Sequence, residues 1–347
     1  MDPTLAASIK RIIDERADLT VEEMQGSMKA IMEGRATDAQ IAAFLTGLRL
    51  KGETIDEIVG AASVMREKAK RIRPATHDVL DTCGTGGDRK GTLNISTMTA
   101  IVAAGAGAPV AKHGNYSVSS KCGSADLLEA LGVNIRLSVP DLEACLGDGG
   151  IAFLFAPMLH EAMKFAIAPR REVGVRTIFN ILGPLTNPAG ARFQLLGVYD
   201  PALTEPIANV LSRLGTKAAW VVHGEDGTDE ITLTGKTRVA ELKDGAVTMR
   251  TITPADFDLP ESGRDAIAGG EPADNAEATI RILDGEAHSA RDTVVANAAA
   301  ALYVLGKAKS LPEGAYQAST ALDSGAARAK LDFLRSFGGP NPNLPGG

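Results

Sequence analysis

Asp81-Thr82-Cys83-Gly84-Thr85-Gly86-Gly87-Asp88-Arg89-Lys90-Gly91-Thr92-Leu93-Asn94-Ile95-Ser96-Thr97 follows a short apolar run at Val79 and Leu80. Three glycines in four positions let backbone N–H groups turn toward a ligand with no Cβ in the way. Ser96 and Thr97 open an apolar run from Ala100 to Ala106, which reads as a helix N-terminus where anions sit well. Strand, glycine loop and hydroxyl-rich helix start together read as a phosphate cradle. Neither common cradle fits: Gly91 is followed by Thr92 rather than by Lys-Ser/Thr, and Gly84 and Gly86 are followed by Arg89 where a dinucleotide loop has glycine. The alternative for this stretch alone is a glycine-rich surface turn.

Upstream, the first seventy residues read only as helices. Leu5, Ile9, Ile12 and Ile13 share one face, and three capping boxes follow, Thr20 to Glu23, Thr37 to Gln40 and Thr54 to Glu57. Gly34 and Gly52 stand where C-caps belong. Past Arg73-Pro74, short apolar runs alternate with helical patterns, the signature of βαβ units and a mostly parallel sheet. Strands are expected at 79–80, 109–111, 133–137, 151–155, 193–198, 218–222, 230–233 and 237–242. Residues 158–165 and 175–182 return to helical spacing, an interruption suited to packing back on the N-terminal helices. Thr293 to Leu305 reads as the last long helix. The expected architecture is α/β, a small all-helical domain (1–73, joined by helices from about 158–185) hinged to a larger α/β domain (74–337) with a mostly parallel central sheet, and 338–347 as a disordered tail.

Composition narrows the function. The 347 residues include 44% hydrophobic and 23% charged side chains, enough for a sizeable core in a soluble protein. Aromatics are 4%, too few for base-stacking surfaces, and the net charge of −7 supplies no basic field for nucleic acid or membrane. No stretch approaches the roughly 18 apolar residues of a membrane span. Cys83, Cys122 and Cys145 lack metal-ligand spacing, which suits a reduced, cytoplasmic enzyme.

Three further patches carry chemistry. Lys112 to Asp126 holds Lys112, His113, Lys121 and four serines between a strand and a helix, a second phosphate grip at the next strand end or a solvated polar loop. His113 reads as a contact residue rather than a catalytic base. Pro169-Arg170-Arg171 reads as a helix start, where basic residues oppose the dipole, so one arginine suits a carboxylate ligand. Arg171 and Arg176 read as salt-bridge partners of acidic neighbours. His223 to Glu230 packs Glu225, Asp226, Asp229 and Glu230 after a strand. Such an acid-rich turn is ambiguous alone, but beside two phosphate loops it suits Mg²⁺.

With these motifs in place, the chain closely resembles the anthranilate phosphoribosyltransferases, tryptophan-pathway enzymes that join anthranilate to phosphoribosyl pyrophosphate. The resemblance runs from Lys51-Gly-Glu-Thr54 to the helix around Asn297, through Gly84-Thr-Gly-Gly-Asp88, Asn94-Ile-Ser-Thr97, Lys112-His-Gly-Asn115, Arg170-Arg-Glu172, Arg176 to Leu185, and Asp229-Glu230. It implies that Gly84, Gly87, Asp88, Thr92, Asn94, Ile95, Ser96 and Thr97 hold phosphoribosyl pyrophosphate. Lys112, His113, Gly114, Asn115, Tyr116, Ser117, Val118, Ser119, Ser120 and Ser124 would close over it. It further implies Mg²⁺ at Ser96, Asp229 and Glu230, anthranilate at Gly84, Asn115 and Arg170, no side chain acting as acid or base, and a homodimer paired through the helical domain. Tyr116 stands where the family more often has arginine, and Cys122 replaces a usual serine, so one charge and one hydroxyl donor are expected to be missing. The alternatives are a pyrimidine nucleoside phosphorylase of the same architecture, against which 94–97 and 176–180 argue, and a non-catalytic nucleic-acid-binding paralogue, against which Asn115, Arg170 and the acidic charge argue.

Overall fold

The structure is a computed structural model describing residues 2–76, 78–88, 90–117 and 120–339. Four helices open the chain: α1 (Pro3–Ile13), α2 (Val21–Met32), α3 (Asp38–Lys51) and α4 (Ile55–Lys68). All three capping boxes form, each threonine hydroxyl accepting from the N–H three residues on and each Glu or Gln accepting from the cap's own N–H. The third also stitches the bundle. Glu57 is fully buried and accepts from Leu19 N at 2.9 Å and from Lys51 Nζ at 3.0 Å.

The sheet has seven strands: β1 (Leu80–Gly84), β2 (Val110–Gly114), β3 (Ile151–Phe155), β4 (Phe193–Gly197), β5 (Ala218–Gly224), β6 (Thr237–Lys243) and β7 (Ala246–Ile252). Their order is β3-β2-β1-β4-β5-β6-β7, parallel from β3 to β5 and antiparallel for the last two pairings. Helix α5 (Ile95–Gly105) joins β1 to β2, and α6 (Ser124–Ala130) and α7 (Val139–Gly149) lie between β2 and β3. Between β3 and β4 come α8 (Ala156–Leu159), α9 (Lys164–Val173) and α10 (Phe179–Leu182), and α11 (Thr204–Arg213) precedes β5. After the sheet follow α12 (Pro272–Leu283), α13 (Arg291–Leu305), α14 (Leu311–Asp323) and α15 (Ala326–Ser336).

Both faces of the sheet are covered. Along β5, Trp220 and Val222 face a core shared with α5 and α12 to α15, whereas Ala219 and Val221 face a core shared with α11 and the helical bundle. Helices α9 and α10 contribute Ala166, Phe179 and Leu182 to that second core, beside Met28 and Leu48. Arg66 of α4 is largely buried and donates to the carbonyls of Leu185 at 2.7 Å and Leu214 at 3.0 Å, tying bundle to sheet.

Four expectations change. Residues 133–137 form no ladder; Val133 and Ile135 are buried outside any strand, and Arg136 N donates to Asn134 Oδ1 at 3.0 Å. Residues 230–233 form no strand, because a side chain takes the place of a neighbouring strand there. Strand β7 lies beyond the expected strands, where Asp244 (φ 51°) and Gly245 (φ 80°) make the two-residue turn that Asp-Gly favours. Nor is Thr293 to Leu305 the last long helix. Helix α14 is announced by Ser310, which caps Glu313 N, and buries Leu311, Ala315, Ala318 and Leu322, with α15 after it. Of the expected tail, residues 340–347 lie outside those described.

Candidate active site

Strand β1 lies where the order reverses, with β2 on one side and β4 on the other, and α/β sheets bind ligands beyond the carboxyl ends of strands at such a point. There β1, β2, β4 and β5 all end in glycine, at Gly84, Gly114, Gly197 and Gly224. Each glycine lets another segment cross the strand end. A Cβ on Gly114 would lie 2.3 Å from Ser124 Oγ, one on Gly197 1.5 Å from the Asp229 carbonyl, and one on Gly224 2.6 Å from Asp226 Oδ1.

The first loop turns through Gly86 (φ 63°) and Gly87 (φ 80°). Thr85 N donates to Gly197 O at 2.9 Å, and Gly86 N to Asp229 Oδ2 at 2.9 Å. Asp88 Oδ1 accepts from Lys90 N at 3.1 Å, whereas its Oδ2 is buried without a hydrogen-bond partner among the described residues. Thr92 makes an isolated antiparallel bridge with Ala268. Ile95 is buried in the core and offers only backbone, and Thr97 is buried with its hydroxyl unpartnered among the described residues. Ser96 N, in the first turn of α5, donates to Glu230 Oε1 at 3.1 Å.

Lys112 reaches this point from β2. It is buried, and its Nζ donates to Thr82 O at 2.5 Å and to Ser96 Oγ at 3.3 Å. Burial lowers its pKa, opposed by Asp81 and Glu230. His113 turns away. Its Nδ1 meets Gly183 O at 3.2 Å, its ring packs at a tilt against His160 with centroids 5.1 Å apart, and burial, then His160, pushes its pKa down to about 3. It is a neutral imidazole at pH 7.

The second loop is internally braced. Asn115 N donates to Ser124 Oγ at 3.1 Å, and Asp126 accepts from Ser117 N at 2.9 Å and Gly123 N at 2.8 Å. Ser117 Oγ and Ser120 Oγ are 2.7 Å apart. Val118 and Ser119 lie outside the described residues. Tyr116 does not face the cleft: its hydroxyl donates to Glu129 Oε2 at 3.1 Å and its ring packs edge-on against Phe155.

Asn94 links the two loops. Its Nδ2 donates to Cys122 O at 3.0 Å, and its Oδ1 accepts from Asn275 Nδ2 at 2.9 Å and Cys122 Sγ at 3.3 Å. The thiol therefore occupies a donor position, where the resemblance implied a missing hydroxyl donor.

The acidic patch divides in two. Glu225 and Asp226 are spent on the turn, Glu225 Oε2 accepting from Lys236 N at 3.1 Å and Asp226 accepting from Thr228, Thr232 and Thr234. Asp229 and Glu230 face the glycine loop and α5. Burial, then Asp88, raises the pKa of Asp229 to about 6, and burial, then Asp229, carries Glu230 well above its ordinary value. Buried carboxylates that raise one another's pKa, with Asp88 Oδ2 left unpartnered, suit a hard divalent cation, so the residues fit Mg²⁺. Among the described residues no three His, Cys, Asp or Glu side chains converge as a metal cluster.

The arginine patch is corrected. Arg170 and Arg171 occupy the last turn of α9, not a helix start, where basic residues are favoured by the dipole. Arg170 is largely buried, with its guanidinium 4.9 Å from the Phe179 ring centre and its pKa lowered by burial. Arg176 makes no ion pair among the described residues. It donates to Gly87 O and stacks 4.1 Å from the Tyr199 ring centre, joining the α9–α10 segment to the glycine loop. Arg176, Asp126, Asn275 and Asn297 are site-building residues beyond those expected from the sequence. Asp126, three residues after Gly123, had a helix-start signal.

Known families match both parts of the chain. Residues 76–328 match the glycosyl transferase family a/b domain, and residues 7–69 its helical bundle domain. An anthranilate phosphoribosyltransferase of Pelotomaculum thermopropionicum is 52% identical over 332 residues, 96% of each chain. One from Moorella thermoacetica is 53% identical, covering 95% of this chain and 97% of its own. The crystal structure of anthranilate phosphoribosyltransferase from Thermus thermophilus superposes with a TM-score of 0.88 at 42% identity, over 95% of this chain and 99% of that one. That from Saccharomyces cerevisiae in complex with PRPP and Mg gives 0.87 at 26% identity, over 96% and 97%. The chain belongs to the anthranilate phosphoribosyltransferase family.

Proposed function

We propose that the chain transfers the phosphoribosyl group of PRPP to the amine of anthranilate, giving N-(5-phosphoribosyl)anthranilate and pyrophosphate, a step of tryptophan biosynthesis. The observation that carries this reading is the meeting of both phosphate-gripping strand ends with Asp229 and Glu230 around Ser96 and Lys112. The 84–88 loop, Thr92 and residues 94–97 at the start of α5, with Lys112, would receive the diphosphate and ribose. Arg170 would supply a planar cation for the anthranilate carboxylate, with Asn115 and Gly84 as further contacts of that substrate. Asp229, Glu230 and Ser96 would hold Mg²⁺, which when bound neutralises pyrophosphate charge.

The arylamine is neutral at pH 7 and needs no strong base. Its nitrogen forms the bond to the anomeric carbon as the carbon–oxygen bond to pyrophosphate breaks on the opposite face, and one proton is released. Catalysis then rests on positioning and on preorganised donors for the leaving group. Exposed Leu50 and Ile13 support a homodimer through the helical domain, since Gly47, one turn before Leu50, packs on Ile13. Three free, buried cysteines suit a cytoplasmic enzyme. No described helix is long and apolar enough to cross a membrane. The assay is loss of anthranilate fluorescence on adding PRPP and Mg²⁺. Full loss is expected, and none from folded protein overturns the reading.

A further inference from the structure

We infer that Asn297 is a positioning residue for the Asp229–Glu230 pair. It is the one polar residue between Val294 and Leu302 and is fully buried. A buried amide is disfavoured unless its hydrogen bonds are made, and this one makes three. Oδ1 accepts from Ile231 N at 3.1 Å, while Nδ2 donates to Ile231 O at 2.9 Å and to Thr293 O at 2.9 Å. Ile231 thus receives from a side chain the two bonds that a neighbouring antiparallel strand would give it.

That clamp acts on the residue following the carboxylates. From the other side, Asp229 is seated on Gly197, where no Cβ intervenes. Fixing the backbone at both ends directs Asp229 to Gly86 N and Glu230 to Ser96 N. Groups behind metal ligands set their orientation, and losing one typically weakens metal binding about 10–100-fold. The inference rests on the assignment of the pair to the cation.

The test titrates Mn²⁺ into the full chain with PRPP and without anthranilate, reading free ion by electron paramagnetic resonance. Asn297→Ala removes the clamp. Asn297→Thr also removes it but leaves a hydroxyl for the Thr293 carbonyl. Both are expected to weaken Mn²⁺ about tenfold or more, with KM for anthranilate at saturating Mg²⁺ unchanged. A merely structural residue would lower Tm and leave Mn²⁺ affinity of the folded variant at the wild-type value, which overturns the inference. An Asp229→Asn/Glu230→Gln control that binds Mn²⁺ like wild type overturns the metal assignment and this inference with it. If neither Asn297 variant folds, wild-type amide exchange decides. Protection of Ile231 N–H equal to that of the central strands supports the clamp, and exchange as fast as in an exposed turn overturns it.

Discussion

Gly84 and Asp229 touch across the cleft: a Cβ on Gly84 would fall 2.6 Å from Asp229 Oδ2, the oxygen that accepts from Gly86 N at 2.9 Å. A methyl group there must push the carboxylate away. Gly84→Ala is expected to raise the Mg²⁺ needed for half-maximal activity about tenfold or more and to cost about 1–3 kcal/mol in stability. Gly86→Ala is the control, because nothing lies within 4 Å of its Cβ and only its φ of 63° opposes alanine. It should cost about 1–2 kcal/mol with a smaller change in Mg²⁺ demand. Metal titration of both variants separates crowding from strain.

The acidity of Asp229 predicts two opposite pH effects. Its folded pKa, about 6, lies above the ordinary 3.8. The stability it contributes is therefore fully present below pH 3.8 and lost as pH rises through 6. In metal-free protein, Tm of wild type relative to Asp229→Asn should fall as pH rises from 4 to 7. Mg²⁺ with PRPP reverses this, since protons compete with the cation for the same carboxylate. Half-saturating Mg²⁺ should rise as pH drops below about 6. A wild-type-minus-variant Tm difference that is flat in pH counts against the crowding of these carboxylates.

Much of this was legible in the sequence because the chemistry was local. The Thr54–Glu57 capping box, Gly84 to Gly87 and Asp229-Glu230 are contiguous, and all lie where their residue types require. What stayed hidden depends on distant partners. Residues 230–233 have strand composition, yet their mate is the amide of Asn297, 66 positions from Ile231. Arg176 was read through nearby acids, whereas its partners are a carbonyl 89 positions away and an aromatic ring. Tyr116 was judged by what it replaces, and only the fold shows which way the ring points.

That orientation predicts the outcome of placing an arginine there. Tyr116 lies against Phe155, with Arg136 donating to its hydroxyl at 2.9 Å and already placed 5.4 Å from the Phe155 ring centre. A second guanidinium there meets a cation rather than a phosphate. Tyr116→Arg is expected to leave KM for PRPP unlowered and to destabilise the fold by about 1 kcal/mol. Initial rates at varied PRPP check it, and a severalfold lower KM would show that the cleft lacks this charge.

Arg176 tests whether the glycine loop is held from the side of the helical unit. Its guanidinium spans the Gly87 carbonyl and the Tyr199 ring, and Tyr199 N itself donates to Thr85 Oγ1 at 3.1 Å, so both ends of the contact close on one loop. Lysine keeps the charge but neither the flat stacking surface nor the fork of donors. Stacking of this kind is worth about 0.5–2 kcal/mol, equivalent to roughly 2–30-fold in an affinity that depends on the loop. Arg176→Lys is therefore expected to raise KM for PRPP within that range, with anthranilate KM less affected and Arg176→Ala no better. Equal weakening of both substrates would instead place the arginine's effect on the packing of the two units, because Arg170 lies on the same segment six residues upstream. A lysine variant indistinguishable from wild type would mean that charge alone, and not the planar contact, keeps Gly87 in place.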